Sequence, residues 1–295
     1  MVNDCKNNLS LFLQLDSGGL PFKRVLTAMS NIDCPDSNNR LRIGGATIDS
    51  LDLPSLLLRL DEMVMGGQQH YVCFCEAHSC VRATLEEDMQ HIFERASLVL
   101  PDGVSMTLGA RLLGKKLPAR LTASLVMLEY CRHSVEKGLK HFFYGCAEGV
   151  PEKVADNLER QVSGLQIVGT YSPPYRPLTN KEEVDVKHRI EESGADILWV
   201  ALGAPKQERW MADHVGKISV PVMLGVGVTF DYFSGNRKWA PVWIRKVGLE
   251  WAYRMLTSGR ICRRGLISLP LFILIIMKQA IFTWLGFYRK PNQVG

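Results

Sequence analysis

Several signatures of common chemistry are missing from this 295-residue chain. Its eight cysteines, Cys5, Cys34, Cys73, Cys75, Cys80, Cys131, Cys146 and Cys262, contain no C-x-x-C pair. That excludes a zinc ribbon or thioredoxin-like dithiol and fits reduced thiols in a cytoplasm. There is no H-E-x-x-H, no His/Cys cluster and no D-x-D pair, so the sequence indicates no bound metal. In GVGVTFDYFSG, Phe230 stands where a dinucleotide-binding G-x-G-x-x-G loop ends in glycine, which speaks against an NAD-dependent oxidoreductase. Residues 1–39 lack the basic start, apolar run and small-residue cleavage site of a signal peptide and read as a polar leader. Repeats and low-complexity stretches are absent too. No apolar run reaches the roughly 20 residues that span a bilayer. The longest, LISLPLFILIIM at Leu266–Met277, has twelve residues before Lys278 and Gln279.

What is present is a composition suited to a full core, 46% hydrophobic and 22% charged, pointing to one large α/β domain with at most a small appendage. The formal net charge of +5 is modest, and much of the excess lies near the C-terminus. From Leu41 onward, short apolar runs alternate with helical periodicity, the pattern of a mainly parallel sheet with flanking helices. Strands are expected at Leu41–Ile43, His70–Cys75, Ser97–Leu100, His141–Tyr144, Gln166–Gly169, Ile197–Ala201 and Val220–Leu224. Helices are expected at Leu53–Met65, Ser79–Arg95, Ser124–Lys137, Pro151–Val162, Lys181–Ser193 and Lys206–His214. In such sheets ligands bind beyond the C-terminal strand ends. Asp102, Gly145, Gly203 and Gly225 each follow a strand there.

Each candidate has a structural alternative. In LVLPDGVS, Asp102 is placed either to accept a proton from an attacking hydroxyl or to cap the following helix. In WVALGAPKQERW, the turn Gly203-Ala204-Pro205 opens a helix whose free amides suit a phosphate, with Lys206, Gln207 and Glu208 in its first turn; the alternative is an ordinary βα loop. Asp231 suits a nucleotide base or sugar, or is a satisfied loop carboxylate. Without a metal, a diphosphate leaving group needs cations. Arg260, Arg263 and Arg264 in TSGRICRRG share a helical face and suit either that role or anionic lipid. The apolar segment after them reads as an interfacial helix or a buried core helix.

Read together, LVLPDGVS, FFYGCAEGVPEKVADNL, ILWVALGAPKQERWM, LGVGVTFDYFSGNRKWAPVWIRKVGLEWAYRML and RICRR resemble the WecG/TagA/CpsF glycosyltransferases, family 26, over roughly Leu41 to Gly265. The resemblance implies a Rossmann-like catalytic domain, here 40–256, and a basic, apolar membrane-docking appendage, here 257–295. It implies a metal-independent inverting enzyme without cofactor, moving N-acetylmannosamine, its uronic acid or glucuronic acid from a UDP donor to a polyprenyl-diphosphate-linked saccharide in bacterial envelope or exopolysaccharide synthesis. The family's catalytic aspartate falls on Asp102. Its donor-binding positions fall on Thr122, Gly145, Gly203, Ala204, Pro205, Lys206, Gln207, Glu208, Phe230 and Asp231, and its diphosphate and acceptor contacts on Arg260, Arg263 and Arg264.

There are departures. A Thr-x-Asn pair reads Phe74-Cys75-Glu76 here, an Arg-x-Thr-Gly segment reads Arg120-Leu121-Thr122-Ala123, and the arginine of an Arg-Ala-Pro string is Trp239. Glu76 in place of an amide disfavours a sugar carboxylate beside it unless a cation intervenes. A catalytically silent nucleotide-sugar-binding scaffold is the competing reading. The expected partners are a UDP-sugar donor, a lipid-linked acceptor, the cytoplasmic face of the membrane and, in a homo-oligomer, a second copy of the chain. No nucleic acid is expected.

Overall fold

The computed structural model describes residues 40–241, 243–244, 250–257 and 259–285. The expected leader, 1–39, lies outside these residues, as do the side chains of 254, 255 and 259–264. The chain opens with a hairpin, β1 (Arg40–Ile43) and β2 (Ala46–Asp49), joined by Gly44-Gly45. There follow α1 (Leu53–Met65), β3 (His70–Cys75), α2 (Ala77–Leu85), α3 (Glu87–Arg95), β4 (Leu98–Pro101), α4 (Val104–Leu112) and α5 (Ala123–Ser134). The second half holds β5 (Lys140–Gly145), α6 (Val150–Gln161), β6 (Gln166–Tyr171), α7 (Asn180–Glu192), β7 (Ile197–Ala201), α8 (Lys206–His214), β8 (Val222–Gly225), α9 (Thr229–Phe233), α10 (Glu250–Thr257) and α11 (Gly259–Trp284).

Six parallel strands form the central sheet in the order β4-β3-β8-β7-β5-β6. Side chains alternate between two cores because a strand's period is two and helices cover both faces. Tyr71, Cys73, Leu198, Val200 and Met223 enter one core; Val72, Phe74, Ile197, Trp199 and Leu224 enter the other. His141 lies in the sheet interior, where Trp199 Nε1 donates to its Nδ1 at 2.9 Å, its Nε2 meets Ser134 Oγ at 2.7 Å, and burial holds its pKa down to about 3. It is therefore a neutral structural histidine.

The expected helix Ser79–Arg95 is two helices, because Glu86 is extended (φ −120°, ψ 115°). The break lets α2 pack on α11 while α3 packs on α8. Four further elements, β2, α4, α9 and α10, fall where the sequence reading marked no strand or helix. Asp49 of β2 docks the hairpin on the sheet edge: its Oδ2 accepts from Val99 N at 2.7 Å, and Arg40 pairs with the same carboxylate at 2.9 Å.

The C-terminal helix α11 begins well before the apolar run. Phe272, Ile275 and Ile276 on one of its faces belong to the same buried core as Tyr71 and Leu198. Polar side chains fix its position along the body. Ser268 Oγ lies 2.7 Å from His78 Nδ1, while Gln279 accepts from Gly44 N and donates to Arg42 O, both at 2.9 Å. Gly109 of α4 lies at the crossing with α11, where a Cβ would stand 3.0 Å from Phe272 Cζ.

Candidate active site

The chain leaves β5 toward β6 and leaves β7 in the opposite direction, toward β8, so the loops after β5 and β7 diverge and open a crevice between them. Gly145 stands on one side. Its φ of +126° and a Cβ position only 2.5 Å from Ala201 O exclude any side chain there. The next residue, Cys146, donates its N–H to Ala201 O at 2.9 Å, which pins the β5 turn against β7. Burial, aided by nearby Asp231, pushes the Cys146 thiol up to about 12. That electrostatic link places the Asp231 carboxylate at the same crevice.

On the other side, Gly203 turns with φ +78°, the Ala204–Pro205 bond is cis, and α8 begins at Lys206. Gln207 is buried and straps two loops together. Its Oε1 accepts from Gly203 N at 3.1 Å, and its Nε2 donates to Gly225 O at 2.8 Å and to Glu208 Oε1 at 3.1 Å. Glu208 is 1% exposed, and its Oε2 has no hydrogen-bond partner among the described residues. Burial raises its pKa to about 7, with Glu76 adding to the rise while its own backbone, Gln207 and Arg82 oppose it. Gln207 and Glu208 thus form the inner frame of the crevice. Lys206 is the outward member of the motif, its Nζ 4.7 Å from the centre of the exposed Tyr175 ring.

Asp102 lies at the far flank, half-buried at the end of β4, with its N–H donating to Cys75 O at 2.8 Å. The cap position of α4 is Gly103, with φ +83° and no side chain, so Asp102 stands one residue outside the helix. Beside it, at the end of β3, is exposed Glu76. Thr122 caps α5, accepting from Leu125 N at 3.3 Å. Phe230 is fully buried, edge-on to Phe143 at 5.6 Å, and supports the floor by packing. The backbone of Arg260, Arg263 and Arg264 lies in the first turns of α11; their side chains are outside the described residues.

Other side chains at the crevice carried little signal in the sequence. Trp239 stacks on Tyr232 at 4.6 Å, which accounts for an aromatic at that position. Arg237 has a buried Nη1 without a hydrogen-bond partner among the described residues and lies over the same Tyr232 ring. A groove of about 610 Å³ next to the β5 and β6 ends is lined by Cys146, Glu148, Ser172, Tyr175 and Arg189, among others. A second hollow, about 510 Å³, lies at the opposite edge of the sheet around Arg40, Asp49 and Arg59, away from the motifs. Among the described residues, no three His, Cys, Asp or Glu side chains gather as a metal site.

This is the arrangement of a Rossmann-like α/β protein with its ligand crevice at the carboxyl ends of a parallel sheet. The family model described as "Glycosyl transferase WecG/TagA/CpsF family" matches residues 41–285, and the chain belongs to that family of glycosyltransferases. It is similar to the N-acetylglucosaminyldiphosphoundecaprenol N-acetyl-beta-D-mannosaminyltransferase of Bacillus spizizenii, 32% identical over 204 residues that cover 69% of this chain and 75% of the relative. The proteins of the same name from Bacillus subtilis and Staphylococcus aureus (strain MRSA252) are each 28% identical, covering 72% and 66% of this chain and 80% and 75% of their own lengths.

Proposed function

We propose that this glycosyltransferase moves a sugar from a UDP donor to a polyprenyl-diphosphate-linked saccharide at the cytoplasmic membrane surface, with inversion and without a metal. The observation that carries the reading is the placement of Asp102, half-buried at the strand-end rim directly after β4, across the sheet from the frame that Gln207 builds. Four inter-strand steps of about 4.8 Å separate β4 from β5, roughly 19 Å in all. That span suits an extended nucleotide-diphospho-sugar, with Asp231 and the β5 turn at its nucleoside end and Asp102 at the reacting end. Asp102 takes the proton from the acceptor hydroxyl as its oxygen attacks the anomeric carbon. The C–O bond to the diphosphate breaks, and UDP leaves with its charge met by Arg260, Arg263, Arg264 and the amides after Gly203.

For the donor sugar, a neutral hexosamine such as N-acetylmannosamine is favoured over a uronic acid. Glu76, at the end of β3 next to β4, puts a second carboxylate beside Asp102. A sugar carboxylate brought to this rim meets like charge. The names of the similar proteins point the same way. The test is a donor comparison, UDP-N-acetylmannosamine against UDP-glucuronic acid, with a defined polyprenyl-diphosphate-linked acceptor. Transfer from the first is expected, and a preference for the second overturns the donor assignment. Binding of UDP without transfer across the panel favours the scaffold reading.

At the membrane, α11 lies on the surface in this reading. The segment Gly265–Trp284 is long and apolar enough to cross a bilayer by length and composition. However, Ser268 and Gln279 bond it to the folded body at two points along its length. Its other face exposes Leu274, Met277 and Ile281, each about half accessible. A helix held along one side and apolar along the other fits monotopic docking.

A further inference from the structure

Between Asp102 and Glu129 the chain has 26 residues without a single acidic side chain, while Arg111, Lys115, Lys116 and Arg120 supply four cations. This stretch contains α4 and the loop that follows it. The helix buries Met106 and Ala110 and turns Leu108, Arg111 and Leu112 outward, with Lys115 and Lys116 exposed just beyond its end. Leu108 is 50% and Leu112 63% accessible, so two leucines of α4 stand open beside the exposed cations. Among the described residues, Arg111, Lys115 and Lys116 make no ion pair. Open apolar side chains ringed by unpaired cations are the composition that recognises an anionic lipid surface.

The position of the patch matters as much as its chemistry. Leu108 and Leu112 flank Gly109, the residue at which α4 crosses α11, and Ile273 and Met277 are the exposed residues next to Phe272 and Ile276 on the other side of that crossing. The start of α4 is two residues from Asp102. We propose that α4 and its following loop, through Leu108, Arg111, Leu112, Lys115 and Lys116, form a second membrane-contact element that takes anionic phospholipid headgroups. It rests on the reading of α11 as a surface-bound helix and extends it. The catalytic domain itself touches the leaflet, on the flank where the candidate base stands, so a lipid-linked acceptor reaches Asp102 without leaving the membrane plane.

The test uses the full chain and vesicles of phosphatidylcholine with or without an equal part of phosphatidylglycerol, read by co-sedimentation. K115Q/K116Q is expected to lower partitioning onto anionic vesicles roughly thirtyfold, the equivalent of about 1 kcal/mol per cation, and to leave binding to neutral vesicles unchanged. L108S/L112S is expected to weaken binding to both vesicle types in a salt-insensitive way. All four side chains are exposed, so an unaltered thermal midpoint should accompany each variant. Wild-type binding of K115Q/K116Q to anionic vesicles overturns the proposal while leaving α11 docking intact. Failure of the wild-type chain to bind either vesicle overturns the membrane reading as a whole. A change of oligomeric state in L108S/L112S by light scattering, with vesicle binding unaltered, assigns the face to a second copy of the chain and overturns the lipid proposal.

Discussion

Asp102 and Glu208 are both carboxyls near the carboxyl ends of the strands, the first half-buried and the second fully buried. Asp102 is half-buried and stands one residue before the cap position of α4; in the proposed role of general base it should account for roughly 10²–10⁴-fold of the rate. Asp102→Asn is therefore expected to retain the wild-type thermal midpoint and UDP affinity while losing turnover by that factor, measured as transfer to a lipid-linked acceptor. Glu208, fully buried, holds its proton to about pH 7, whereas an unfolded glutamate releases it near 4.5. The unfolded state thus loses the proton first as pH rises, and stability should fall between about pH 4.5 and 7, by up to about 3 kcal/mol, then level off. Glu208→Gln should flatten that slope in thermal unfolding scans across pH 5 to 8. The first of these carboxyls was legible in the sequence, because an aspartate directly after a buried strand has few places to point. The second was legible only as part of the loop after β7. That its side chain turns inward, beside Gln207 and toward Cys73 of β3, depends on packing between elements remote in sequence.

At the scale of elements, α11 joins the apolar C-terminal segment to the folded body. The sequence marks an apolar tail after a basic stretch, and residues 257–295 read as an appendage. The structure shows a helix with two apolar faces, one of which completes a core begun by the first strands of the chain. Removing everything after Gly265 therefore strips Phe272, Ile275 and Ile276 from that core. Single large-to-small replacements at such sites cost about 2–5 kcal/mol, against a total stability of roughly 5–15. We expect the truncated chain to unfold at markedly lower temperature, and Ile276→Ala in the full chain to show a fraction of the same loss. Gly109→Val should act from the opposite side of the crossing, forcing α4 and α11 apart at roughly 1–3 kcal/mol. Three of the four elements missed in the sequence, β2, α4 and α9, share a physical cause. Strand β2 has four residues, α9 has five, and α4 mixes glycine and small residues with outward leucines, so none presents a clean period. Long amphipathic helices and strands buried on both faces, such as α1 and β7, were legible to the residue.

For the molecule as a whole, the order of strands in the sheet sets a schedule for its making. The two strands that join the sheet's halves, β7 and β8, come last in the sequence yet lie in its middle. Until residues 197–225 have been synthesised, β3 with β4 and β5 with β6 are two separate ribbons, each with an open inner edge and apolar faces waiting for cover. A chain emerging from the ribosome must keep these edges from pairing with a neighbour until the central strands arrive, and only then can the fold close cooperatively. A fragment ending at Asp196 is accordingly expected to lack protected amides in hydrogen exchange, even though it contains four of the six sheet strands. The Gln207 strap, which links the loops after β7 and β8, forms within this closing step, so the strand-end crevice and the finished sheet come into being together.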